Sequence, residues 1–197
     1  MNNPTRHITL HSGGASGSDH CFEQTALSLP EYNVISHSFN GHHIVHIDAN
    51  DRYVVKKHSD TELYGLAMGL IQRAAERLGR RLPSNKYAQR LVLRDYFQVQ
   101  DTQLVIAVCF LNKYGSTIEG GTAWAIECAK ERHIPIWVYN QNDDWWYYYS
   151  FKDRVFLPCK SLPPAGFVRN KTEYTKIAGI GTRQLSDNGR KAISNIL

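Results

Sequence analysis

The sequence predicts one α/β domain over residues 1–197, built on a Rossmann-like, doubly wound and mainly parallel sheet. Three observations carry that prediction. Leu104 to Phe110 (LVIAVCF) is apolar without a break, as a strand covered on both faces must be. From there to Tyr139, strand, helix and strand alternate at βαβ spacing. Glycine loops stand at three strand-to-helix junctions: Ser12 to Asp19, Glu119 to Thr122 and Gly179 to Arg183.

The elements follow in order. His7 to His11 (HITLH) reads as a short strand running into the first glycine loop. Phe22, Ala26 and Leu29 have helical spacing, with Asp19 and Glu23 near the start, where the helix dipole favours acids, and Pro30 closes that helix. Asn33 to His37 reads as a second strand, followed to Ser59 by an irregular, histidine-rich connection. Asp60 to Leu82 has the clearest helical pattern: Leu63, Leu66, Ala67, Leu70, Ile71, Ala74, Ala75 and Leu78 lie on one face, and Ser59 or Asp60 suits the cap. Pro83 and Ser84 break it, and Ser84 suits the cap of a helix over Asn85 to Gln98.

After the strand at Leu104, the loop Glu119 to Thr122 opens a helix through Ala123, Ile126, Ala129 and Lys130, and Ile134 to Tyr139 is the next central strand. Asn142 to Phe156 (NDDWWYYYSFKDRVF) reads as a polar turn followed by an aromatic β-hairpin inserted in the C-terminal half. Alternate aromatics of such a hairpin belong in the core, with stacking on a base as the other use. Lys176 to Arg183 is a strand running into a glycine turn, and a last helix reaches Ile196. Strand, Gly-x-Gly and helix usually begin such a fold rather than end it.

Composition excludes several classes. No 18-residue apolar run predicts a membrane span, and MNNPTRH predicts no secretory leader. The four cysteines (Cys21, Cys109, Cys128, Cys159) form no CxxC pair and read as buried thiols of a reducing, cytoplasmic compartment. The formal net charge of +5 suits an anionic ligand, but no basic stripe with stacking aromatics appears, so nucleic acid is not the expected partner. His11, His20, His37, His42, His43 and His46 raise a metal reading. His42 and His46 are four apart but sit in a segment that reads as loop or strand, so no metal site is assigned.

Glycine lets backbone approach a phosphate, and the first amides of the following helix point at it. The three loops therefore predict a crevice for a phosphate-bearing, nucleotide-like ligand. Its binding set is Ser12, Gly13, Gly14, Ser16, Gly17, Asp19, Gly120, Gly121, Thr122, Gly179, Gly181, Thr182 and Arg183, with Arg183 suited to pairing with phosphate in bidentate fashion. No cofactor is required. Neither GxxxxGK[ST] nor a complete GxGxxG is present; Gln184 stands where the last glycine would be.

SGGASGSD, LRDYFQVQDTQLVIAV, EGGTAWAIECAKERHIPIWVYNQNDDWWYYY and IAGIGTRQLSDNGRKAI together resemble the SLOG superfamily. These are Rossmann-like nucleotide-binding proteins that include the lonely guy phosphoribohydrolases and the DNA-processing DprA proteins. SGGASG at the front and GIGTR at the back match the circularly permuted YpsA-type family, once labelled molybdenum carriers. The resemblance implies a central strand from Ile177 to Gly181 beside His7 to His11, a nucleotide-derived ligand and a homodimer formed through helices. Against the lonely guy loop PGGxGTxxE, it places Glu127 at the glutamate and Arg94 at the preceding arginine, the pair that would cleave an N-glycosidic bond. Glu119, Ala123 and Trp124 depart from that loop, which favours a sensor, carrier or sequestering role over hydrolysis. Glu127 also reads as a dipole-favoured helix residue, and Arg94 as a partner of Asp95 or Asp101. Nucleic-acid handling of the DprA kind is the weaker alternative.

Overall fold

The computed structural model describes residues 7–48 and 50–197. It is α/β, with one eight-stranded sheet flanked by helices on both faces. The strands are β1 Ile8–Ser12, β2 Tyr32–Phe39, β3 Tyr53–His58, β4 Leu104–Cys109, β5 Ile136–Asn140, β6 Trp145–Ser150, β7 Val155–Pro158 and β8 Lys176–Gly181. The helices are α1 Ser18–Ser28, α2 Asp60–Glu62, α3 Met68–Leu78, α4 Lys86–Val99, α5 Ala123–Glu131 and α6 Asp187–Ile196, with a π-helical segment, Leu63–Ala67, joining α2 to α3.

The sheet order is β3-β2-β1-β8-β4-β5-β6-β7; it is parallel from β3 to β5 and antiparallel in the aromatic hairpin β6–β7. β8 is central, bonded to both β1 and β4, the place that the resemblance implied for Ile177 to Gly181. All six residues of β4 are buried. Val105, Ala107 and Cys109 face one core, shared with α3, α4 and α5; Leu104, Ile106 and Val108 face the other, shared with α1 and α6. That two-sided burial explains the unbroken apolar run.

Several elements differ from the sequence reading. The connection before Ser59 contains β3, whose pattern Val54-Val55-Lys56-Lys57 is the mark of an exposed edge rather than a buried strand. Ser59 caps α2 in a full capping box with Glu62, but the helical stretch ends at Leu78, where Gly79 turns left-handed at φ +60°, not at Leu82. The cap of α4 is Asn85, whose side chain accepts from the Ala88 amide, rather than Ser84. All four cysteines are free and buried. No helix among the described residues is long and apolar enough to cross a membrane.

Candidate functional site

The carboxyl ends of β1, β4 and β8 open on one crevice of about 1090 Å3, at the switch point where an open α/β sheet binds ligands. Ser16, Asp19, Gly120, Gly121, Thr122, Gly181, Thr182 and Arg183 line it, so residues from all three glycine loops converge.

The loops do not all do the same work. Gly17 stands at φ +91°, pressed against the carbonyls of Thr182 and Arg183, which a Cβ would overlap. The Ser18 amide donates to Thr182 O (3.0 Å), its hydroxyl donates to the same oxygen (2.9 Å), and Asp19 Oδ1 accepts from the Gly181 amide (3.0 Å). The first turn of α1 is thus occupied in tying the first loop to the third. Ser12 lies beneath, its hydroxyl donating to Asp19 O at 3.4 Å. Gly179 is inside β8, away from the crevice lining; it is glycine because Phe22 and Leu10 pack on its Cα. Gly181 is glycine for the same reason, against Val108 O and Ser18.

The second loop is different. Arg80 holds the Gly120 carbonyl at 2.7 Å, and the amides of Gly121 and Thr122, at the start of α5, have no protein partner among the described residues. These are the open donors that an anion needs. Trp124 turns into the core, 5 % exposed, so this departure from the lonely guy loop does not fill the crevice.

α4 supplies the charge. Arg94, 6 % exposed, donates from one terminal nitrogen to Gly13 O (2.6 Å) and from the other to Asp95 Oδ1 (2.9 Å), leaving Nε without a partner. Gly13 is glycine because the guanidinium and Gln98 occupy the place of its Cβ. With its amide oriented so that the oxygen accepts from Gly13 N (2.7 Å), Gln98 donates to Asp95 Oδ1 (3.3 Å). Burial pushes the Asp19 carboxyl up to about 6 and that of Asp95 to about 7, against the pull of Arg94 on both. Arg183 has no hydrogen-bond or ion-pair partner among the described residues.

The histidine-rich connection roofs the crevice with His42, His43, Ile44 and Val45. Val45 N donates to Gly14 O (2.8 Å), Ile44 packs on Gly14, and His42 stacks on Phe39 at 4.9 Å with its Nδ1 3.2 Å from Ser38 Oγ. Burial lowers His42 to about 4, so the roof is neutral at that ring. Tyr87, Leu91, Val92 and Phe110 form an apolar wall.

Glu127 is not at the crevice. Its carboxylate accepts from Lys130 Nζ at 2.6 Å, and Lys130 lies over the rings of Tyr149 and Phe156. The helix turn that carries Trp124 into the core carries Glu127 to the same packed side. The hairpin aromatics also stay away: Trp146 packs on Trp137 and Tyr139, and Tyr149 on Phe156. Sequence reasoning missed Asp95, Gln98, Glu119 and the apolar wall as lining residues, and left open whether His37 to Ser59 covers the site or is a surface loop. Asp95 was legible only as a partner for Arg94.

No histidine, cysteine or carboxylate group of three or more suited to a metal occurs among the described residues. His11, His37 and His58 instead form a buried chain across β1, β2 and β3, with Nδ1 of His11 3.0 Å from Nε2 of His37 and Nδ1 of His37 2.9 Å from Nε2 of His58. No known protein family, curated protein or solved structure matches this chain. What fold and crevice define is a class: a Rossmann-like α/β protein with a roofed crevice at its sheet switch point.

Proposed function

We propose that this protein binds a nucleotide or nucleotide-derived, phosphate-bearing small molecule in the crevice, as a sensor, carrier or sequestering protein. The carrying observation is the pair of open amides at Gly121 and Thr122, facing the same crevice as Arg94 and Arg183. A phosphate belongs on those donors, and a flat base against Tyr87, Leu91 and Phe110. Membership of the SLOG superfamily in its permuted order is part of this proposal. Counted from β8, the strands β8, β1, β2, β3, β4 and β5 lie in the order 4-3-2-1-5-6, which winds outward from its first strand and reverses as the Rossmann order 3-2-1-4-5-6 does, with one more strand before the reversal. A homodimer formed through helices belongs to the same reading.

A thermal-shift screen of nucleotides and nucleotide sugars, with mass spectrometry of each hit, tests it. A hit recovered unchanged supports binding. A hit recovered as base and sugar phosphate supports N-glycosidic hydrolysis, and no stabilisation by any phosphate-bearing compound overturns the reading. Glu127→Gln separates the first two outcomes. Because Glu127 serves Lys130, the variant is expected to lose about 1–2 kcal/mol of stability by leaving that buried ammonium without its partner. Ligand affinity should stay within about twofold of wild type. A variant that is equally stable but loses turnover of a cleaved nucleotide would restore Glu127 to the chemistry.

A further inference from the structure

We propose that the crevice takes up a proton together with its anion, because Asp95, with Asp19 lining the same crevice, occupies the buried guanidinium that the anion needs. The inference rests on the phosphate-binding reading and concerns what happens at Arg94 when that ligand arrives.

Without ligand, Arg94 is already matched. Asp95 Oδ1 accepts from its fork at 2.9 Å, Asp19 lines the same crevice, and Gln98 joins Asp95 to the Gly13 amide. Arg94 and Asp95 are 6 % and 7 % exposed and Asp19 is 4 % exposed, so water screens this cluster weakly. A phosphate approaching the guanidinium would meet two carboxylates in a poorly screened space. Protonating one removes that repulsion and frees one arm of the fork. The proton comes from solvent and adds to a carboxylate oxygen; no other bond changes.

The surroundings favour a carboxyl proton over the alternatives. Asp95 faces Asp19 from α1, Arg94 on its own helix and Cys128 from α5. Arg94 in turn faces His37 of β2, His58 of β3 and His42 of the roof, all of which its charge helps to keep neutral. Asp19 is held toward its ionised form by the Gly181 amide and toward its neutral form by burial. Two acids pushed upward together share the titration, so the proton belongs to the pair.

The test uses sulfate, whose charge is constant from pH 6 to pH 8, with its site located by the amide resonances of Gly121 and Thr122. Wild-type affinity is expected to fall about tenfold between pH 6 and pH 8, as one group near neutrality loses its proton. Asp95→Asn, which keeps the shape and the acceptor for Arg94, should bind sulfate more tightly than wild type at pH 8 and lose most of the slope. Asp19→Asn provides the second reading if Asp95→Asn fails to fold. Flat wild-type binding overturns the proposal, and so does the same slope retained in both Asp95→Asn and Asp19→Asn, which would place the proton on a histidine instead. Absence of any sulfate effect on Gly121 and Thr122, in wild type and variant at every pH, instead overturns the phosphate reading itself.

Discussion

Arg94→Ala is expected to remove ligand binding and to lower stability by roughly 3–5 kcal/mol, the cost of breaking a buried ion pair from one side. The arginine joins three parts of the site: α4, which carries it; the first loop, through Gly13 O; and the acid pair, through Asp95. Without it, the Gly13 carbonyl loses its donor while two acids remain buried beside one another. The acids respond by holding their protons, so the loss should be smaller at pH 5.5 than at pH 8. In a domain of this size, a loss of that order lowers the melting temperature by about 10 °C. Arg94→Lys keeps the charge but not the fork, and should fold with an intermediate melting temperature and weakened binding. Melting curves at both pH values, with titration of a nucleotide hit, check all of this. An Arg94→Ala protein that melts like wild type and binds the hit equally would show that the guanidinium serves neither role.

Gly13→Ala makes a complementary point about what glycine does here. Three glycine loops look alike in the sequence, each between a strand and a helix. In the fold, Gly13 makes room for Arg94, Gly17 for the Thr182 and Arg183 carbonyls, and Gly179 for Phe22 and Leu10, while Gly120 and Gly121 have no atom where a Cβ would stand. Local pattern reveals that backbone must come close to something, but not to what, because the partner can lie far along the chain, 164 residues away for Ser18 and Thr182. The same limit explains Glu127. Its spacing from the loop matched a catalytic pattern, yet one turn of a largely buried helix decides whether a side chain meets the crevice or Lys130. β4 was legible because burial on two faces leaves an unbroken apolar run, whereas the central place of β8 came only from the resemblance of its GIGTR turn. β3 was not, since an edge strand with two lysines resembles a loop. The roof was hidden for another reason: its hold on Gly14 is made by a backbone amide, Val45 N, and backbone bonds leave no residue-type signal.

His37→Gln is the last expected result, and it depends on pH. His11, His37 and His58 are all buried, and they stack at ring-centroid spacings of 5.2 Å. Glu62 Oε1 lies 3.8 Å from His58 Nδ1, which favours the polarity in which every N–H of the chain points toward that carboxylate and His11 Nε2 is left bare. Burial pushes His11 down to about 4 against the opposing charge of Asp101, and burial followed by His11, His58 and Arg94 pushes His37 to about 2. A histidine whose folded pKa is depressed contributes stability that is complete above its unfolded value near 6.5 and declines as pH falls below it, by about 1.4 kcal/mol per unit. The raised carboxyls have the opposite sign: Glu23, buried to 0 % exposure and pushed up to about 7, and the Asp19–Asp95 pair lose stability as pH rises through their range. In wild type the two sets oppose each other between pH 4.5 and 6.5, so its own profile is not diagnostic. The difference between variant and wild type is, because the carboxyls cancel in it. Glutamine carries a donor and an acceptor, so it can stand between His11 and His58, but it does not titrate. Whatever His37→Gln costs at pH 7.5, that cost should shrink by about 2 kcal/mol at pH 5, measured by denaturant unfolding of both proteins at both pH values. An unchanged cost would mean that His37 gains its proton as readily in the folded protein as in the unfolded chain. His37 would then have to be counted as a cation beside Arg94.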